Sequence, residues 1–150
     1  METLYNNKGE AAVDPRIVAF IRRHHVLTVS TVSDEGPYCA NLFYAWMAGE
    51  GRFVVTSDAA TRHGAEALAD GRVAGSVVLE TRVVGRVQGL QFRGRMERVE
   101  GEPARAARNA YLKRFPYAVV ADLELWTIEP TLLKYTDNTL GFGKKLIWQL

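Results

Sequence analysis

Arg52-Phe53-Val54-Val55-Thr56-Ser57-Asp58-Ala59-Ala60-Thr61-Arg62-His63-Gly64 reads as a strand that turns directly into a helix. Arg52 to Thr56 is rich in β-branched and aromatic residues, as strands are. Ser57 and Asp58 are natural N-caps, and the pattern predicts a helix from Ala59 to Ala69. The first N–H groups of a helix lack intrahelical partners, and its dipole adds partial positive charge at that end. The same turn carries the hydroxyls of Thr56, Ser57 and Thr61, the guanidinium of Arg62 and the imidazole of His63. Such donors at a helix start suit an anion, phosphate first among them. The competing reading is structural: an ordinary cap, a solvated arginine and a packed histidine.

The rest of the chain bounds what such a site can belong to. Its 150 residues suffice for one domain with a proper core, and 47% are hydrophobic, as in globular proteins. A formal net charge of +2 without a run of Lys or Arg argues against nucleic acid as a partner. A single cysteine, Cys39, leaves no internal disulfide and suits a reducing cytoplasm. Residues 1–13 read as a flexible polar leader without the apolar core of a signal peptide, ahead of one domain over 14–150. No apolar run is long enough for a membrane span. The expectation is a soluble, cytoplasmic protein.

Working outward, Asp14-Pro15 starts a helix with Ile17, Phe20, Ile21 and His24 on one face. His24 and His25 are adjacent and cannot share a helix face, and no further ligand cluster accompanies them, so no metal site is expected. Val26–Val32, Tyr38–Trp46 and Arg52–Thr56 read as an antiparallel meander joined by glycine-containing turns. In the helix that follows, Ala65, Leu68 and Ala69 are expected to face the core, with Asp70-Gly71 as its stop. Val73–Leu79 is a fourth strand, and Val84–Val99 a long fifth. In the fifth, Leu90, Phe92 and Met96 alternate with Gln91, Arg93, Arg95 and Glu97, one face to the core and one wet or shared. A third helix runs from Glu102-Pro103 to about Arg114, with Ala104, Ala107 and Tyr111 as its apolar stripe. Leu123–Glu129 is the sixth strand, which Leu132–Thr136 continues past Pro130. The tail, with Phe142, Ile147 and Trp148 beside Lys144 and Lys145, needs a surface to bury its apolar groups. Either it packs on its own domain, or it crosses a dimer interface and brings the lysines to a ligand.

Six strands with short links and three marginal helices predict a mainly β, α+β fold: a small antiparallel barrel with peripheral helices. No Gly-x-Gly-x-x-Gly follows a strand, Cys39 has no histidine placed to activate it, and no two acidic residues are placed as general acid and base.

Cys39-Ala40-Asn41, Phe43-Tyr44, Thr61-Arg62-His63, Gly89-Leu90-Gln91-Phe92, Arg114-Phe115-Pro116 and Thr136-Asp137-Asn138-Thr139-Leu140-Gly141-Phe142-Gly143-Lys144-Lys145 fall in an order that resembles the pyridoxamine 5′-phosphate oxidase-like FMN-binding split barrels, the YhbP group above all. The resemblance runs from about Asp14 onward, and its last motif is the most specific. It implies a six-stranded antiparallel split barrel and a homodimer with FMN at the subunit interface. It further implies that the flavin ring lies against Asn41, Leu42 and Phe43. The phosphate meets Thr56, Ser57, Thr61, Arg62 and His63, the same helix start picked out by its donors. Lys144 and Lys145 are the tail's candidates for the anionic ligand.

The departures limit what carries over. The oxidase's Arg-x-His-x-Arg substrate motif is absent, replaced by Gly141-Phe142-Gly143-Lys144-Lys145, and Thr136 stands where the oxidase has a tryptophan near its flavin. His63 replaces the second basic phosphate ligand, and a neutral imidazole lacks the charge that assists phosphate. Oxidation of pyridoxamine phosphate is therefore not expected. Two functions stay open: a flavin-dependent oxidoreductase of unassigned substrate and electron donor, or a non-enzymatic binding protein for flavin or another planar cofactor such as haem or deazaflavin. A structural dimer without ligand is a third.

Overall fold

The structure is a computed structural model that describes residues 3–5 and 12–150. Its strands are β1 (Thr3–Tyr5), β2 (Val26–Ser33), β3 (Gly36–Met47), β4 (Arg52–Thr56), β5 (Arg72–Val78), β6 (Gln88–Arg98), β7 (Leu125–Asp137) and β8 (Lys145–Gln149). Three helices accompany them, α1 (Pro15–Arg23), α2 (Arg62–Ala69) and α3 (Gly101–Arg114). The sheet order is β1-β8-β7-β4-β3-β2-β5-β6, and β6 returns to pair with β7. The six expected strands therefore close a ring, from β2 to β7, and β8 and β1 extend it off β7.

The split lies in β7. Its first part, Leu125–Ile128, pairs with β4. Its second part, Leu132–Thr136, pairs with β8 instead. Pro130, which has no N–H to donate, stands at the changeover, and the β6–β7 register slips between Arg93 and Gly94 opposite it. A side chain on Gly94 would meet the Glu129 carbonyl at 2.4 Å, so only glycine admits this crossing.

Period-two alternation builds the interior. Leu27, Val29 and Thr31 of β2 point in, and so do Leu90, Phe92 and Met96 of β6. They meet Phe20, Tyr44, Phe53, Trp126, Ile128, Tyr135 and Trp148 in one core. Ala107, Tyr111 and Phe115 of α3 and its end cover Ala45, Val54 and Leu125 in a second cluster. Asp14 caps α1, accepting from the Arg16 N–H at 2.8 Å.

Several boundaries differ from expectation. Val84–Arg86 is a 3-10 turn, and β6 begins only at Gln88. α2 begins at Arg62 with Thr61 as its cap, because Asp58 closes a turn of its own, accepting from Ala60 N–H at 2.7 Å. Gly64 and Ala67 of α2 are buried, whereas Ala65, Leu68 and Ala69 face out. His63 bonds to Ser57 and Glu66 to Thr31, and these contacts accompany the inward turn of Gly64 and Ala67. Phe142 is 77% exposed, and Leu146 and Trp148 are the tail residues that bury. The leader expected over 1–13 falls largely outside the described residues; of its described parts, Thr3–Tyr5 pairs in parallel with β8, and Val13 packs against the core.

Candidate functional site

The start of α2 is built from short side chains that bond to one another. Thr61 Oγ1 donates to the Asp58 carbonyl at 2.6 Å and accepts the Gly64 N–H at 3.1 Å. The N–H groups of Arg62 and His63 remain at the open end without an intrahelical acceptor. A Cβ on Gly64 would sit 2.3 Å from the Asp58 carbonyl, so the loop closes on the helix only over glycine. Ser57 Oγ lies 2.6 Å from His63 Nε2, and Thr61 Oγ1 lies 3.4 Å from the same nitrogen. Burial holds the His63 pKa below its usual value, so the ring is neutral at neutral pH. Thr56 Oγ1 is 3.4 Å from the Tyr111 hydroxyl.

Arg62 is occupied. Its guanidinium pairs with Glu35 of the β2–β3 turn and with Glu66 at 3.3 Å, and lies 4.7 Å from the centre of the Tyr38 ring. Glu66 also accepts from the Thr31 hydroxyl at 2.6 Å, the first cause of its lowered pKa. The guanidinium is half exposed, so an anion at the helix start competes with two carboxylates for it.

The second half of the candidate site is β3. Only its end, Tyr44–Met47, pairs with β4. Among the described residues no strand covers the other edge of 36–43. Asn41 and Phe43 point outward, while Leu42 faces inward opposite Leu27, leaving its backbone for a ligand. Thr28 Oγ1 donates to Asn41 Oδ1 at 2.7 Å. Phe43 is 52% exposed, stacked on His25 at 6.0 Å and tilted against Phe115 at 5.6 Å. Arg114 braces this corner by donating to the carbonyls of His24 and of Arg22, where α1 ends. Val55 pairs with Tyr44, so Thr56 and Phe43 are the residues next beyond the paired stretch on their two strands. The strip on β3 and the helix start are thus neighbours.

Two hollows flank them. One of about 600 Å³ touches Thr56 and Ser57 but is ringed by Asp58, Glu100, Asp122 and Glu124 against Arg98 alone, a field that repels phosphate. The other, about 520 Å³, runs over the outer faces of β2, β5 and β6 beside Cys39, with Thr28, Ser76, Gln91, Arg93 and Lys134 in its wall and no carboxylate. Its size is that of a cofactor groove.

Lys144 and Lys145 are elsewhere. Leu125 of β7 pairs with Thr56, and Thr136 of the same strand pairs with Lys145. Roughly 35 Å of strand separates the two ends at about 3.3 Å per residue. One chain does not bring the lysines to the helix start. His24 and His25 pack on Phe20 and Phe43 rather than toward each other. Sequence reading missed Glu35, Tyr38 and Tyr111, which only tertiary contact brings in; Glu66 alone had a signal, its i+4 spacing from Arg62.

The profile of the pyridoxamine 5′-phosphate oxidase family matches residues 13–137. The chain belongs to that family. Within it the UPF0306 protein YhbP of Salmonella arizonae is 41% identical over 132 residues, 88% of this chain and 90% of that protein. Among solved structures, a haem-binding protein from Mycobacterium smegmatis superposes with a TM-score of 0.73 at 21% identity, covering 91% of this chain and 59% of that one. An FAD-binding protein from Mesorhizobium loti gives 0.64 at 16% identity over 79% of this chain and 87% of that one. These two likenesses establish the fold, a split barrel that this chain shares with a haem-binding and an FAD-binding protein. The family match ends at Asp137, just before the turn that leads into β8.

Proposed function

We propose that this protein binds FMN and acts as a flavin-dependent oxidoreductase on a small molecule. The observation that carries the proposal is one juxtaposition. A helix start with Ser57, Thr61 and two backbone donors at its open end follows β4, which pairs with the end of the strand that carries outward Asn41 and Phe43, and Cys39 of that strand borders a groove without carboxylates. The donor set fits a phosphate, and the flat strip fits a ring. Ser57, Thr61, His63 and Arg62, released from Glu35, would hold the phosphate. Asn41, the backbone at Leu42 and the edge of Phe43 would hold the ring. Bound FMN would supply the redox chemistry; the chain would orient it and exclude water. No pyridoxamine phosphate oxidation follows, since the oxidase's arginine–histidine motif is missing from the tail.

The site is best completed by a homodimer. A second copy would cover the open edge of β3 and bring Lys144 and Lys145 of its own tail toward the ligand. In this reading the protein is soluble and cytoplasmic; among the described residues no helix is long and apolar enough to cross a membrane. A second reading is a carrier for another planar cofactor, haem or deazaflavin; its haem form is favoured by His25, an exposed imidazole stacked on Phe43 at the strip. The test is the spectrum of purified protein before and after titration with FMN, then turnover of NAD(P)H. Flavin bands with turnover support the oxidoreductase, flavin bands without turnover or a haem band support the carrier, and a colourless protein indifferent to FMN removes both.

A further inference from the structure

Strand register sets two rows of side chains on the outer face of the barrel, along the groove of about 520 Å³. Ser76 of β5, Gln91 of β6 and Lys134 of β7 stand side by side in one row. Ala74, Arg93 and Leu132 of the same strands form the next, two residues along and so on the same face. Ser30 of β2 pairs with Ala74 and extends that second row. Short side chains over β2 and β5 make a floor, and the long side chains of Arg93 and Lys134 stand at one side of it. Scattered over a convex surface, such polar groups would simply be hydrated. Here they line one concave wall.

Arg93 and Lys134 are the distinctive part of that wall. Lys134 sits opposite Gln91, so it is the diagonal neighbour of Arg93. Diagonal pairs lie about 7–8 Å apart, and like charges at that range repel unless an anion sits between them. Among the described residues neither cation is in an ion pair, and the side chains of Ser30, Ser76 and Gln91 make no hydrogen bond. The acidic residues of β6 and β7 are turned away, taken or distant. Asp137 is buried beside Tyr135, and Glu129 pairs with Arg52 at 3.3 Å. Glu97 lies four residues beyond Arg93, about 13 Å along the strand. A cleft walled by one sign of charge concentrates ions of the other.

We infer that this groove binds a small hydroxylated oxyanion, its carboxylate or phosphate held between Arg93 and Lys134 and its hydroxyls on Ser30, Ser76 and Gln91. The guanidinium fork matches either head group, and the ammonium adds a second charge. The polar floor selects a sugar-like body over a hydrocarbon, which would leave those groups unpaired on burial. The volume is ample for a six-carbon acid. This ligand is separate from the flavin ring. Asn41, Thr28, Ser76, Gln91 and Lys134 follow one another across five strands, so four strand spacings, about 19 Å, part Asn41 from the clamp. The inference stands on the groove and does not need the flavin reading.

The test is calorimetric titration of the full-length protein at low ionic strength with gluconate, with ribose 5-phosphate and with sorbitol, which is neutral. At least one of the two anions should bind about tenfold or more tightly than sorbitol, the least expected of a hydrogen bond to a charged group. The tighter anion names the head group. Arg93→Gln/Lys134→Gln should lower its affinity about tenfold or more and keep the circular dichroism and the FMN affinity of the wild type. Arg62→Ala should leave its affinity unchanged, which separates this groove from the start of α2. Sorbitol binding as tightly as both anions, absence of anion binding, or wild-type anion affinity in the double variant overturns the inference. So does a tenfold loss of FMN affinity in the double variant, or a tenfold loss of the anion in Arg62→Ala. Anion binding lost with Arg93 and Lys134 in a protein that ignores FMN would remove the flavin proposal and leave this one standing; FMN binding without anion binding would do the opposite.

Discussion

Arg62 illustrates how one residue can be read correctly by type and still be placed by neighbours the sequence does not show. Its guanidinium is shared between Glu35 and Glu66. Arg62→Ala should weaken FMN binding by about ten- to a hundredfold, the range for a hydrogen bond to a charged group, read by fluorescence titration. Glu35→Gln should strengthen it by about two- to fivefold, because an exposed ion pair is weak competition. His63 supplies a pH signature. Its folded pKa lies below the unfolded value of 6.5, with burial as the first cause. The neutral ring therefore stabilises the ligand-free fold above that pH, and the contribution is lost as pH falls through the folded pKa. His24, lowered first by burial, acts in the same direction. Thermal melts of ligand-free protein should drop between pH 7 and 5, and less so in His63→Asn. A phosphate should gain from the imidazolium over the same window, while protonation of the phosphate itself near pH 6 works against it. The difference in FMN affinity between wild type and His63→Asn should therefore widen as pH falls; an unchanged difference would take His63 off the phosphate.

At the scale of elements, α2 and the tail carry the tests. Gly64→Ala places a methyl 2.3 Å from the Asp58 carbonyl and 2.9 Å from Thr61 Oγ1, so the loop must move. A loss of about 1–3 kcal/mol is expected for such overpacking, together with weaker FMN binding, measured by urea unfolding and titration. In β8, Trp148 is 4% exposed and packs in the main core. Trp148→Ala should cost about 3–5 kcal/mol, whereas Phe142→Ala, at an exposed position, should leave the unfolding midpoint unchanged. The apolar tail was legible as a segment that must bury something. Which aromatic it buries was not, because that depends on the bend at Gly141 and on the register Thr136 to Lys145. Likewise the alternation in β6 named its inward residues, and its start at Gln88 did not follow from sequence, since the paired Val83 and Val84 read as strand while Val84–Arg86 coils against the turn at Asn138.

For the whole molecule, the open β3 edge, half-exposed Phe43 and exposed Tyr117, Val120 and Phe142 leave more apolar surface than a lone barrel comfortably shows. Light scattering at micromolar concentration should give the mass of two chains, and a monomer would count against the completed site. The six strands themselves, the cap of α1 and the donors at the start of α2 were fixed by local chemistry: alternation, glycine turns and short hydroxyl side chains act within a few residues and are written in order along the chain. Tertiary structure decided the rest, because it depends on pairings between distant segments. Pairing made β7 the shared strand, drew Glu35 onto Arg62, turned Gly64 and Ala67 rather than Leu68 inward, and set the lysines at the opposite end of β7 from the histidine. No spacing in the sequence encodes those separations, since they are set by which strand edges meet.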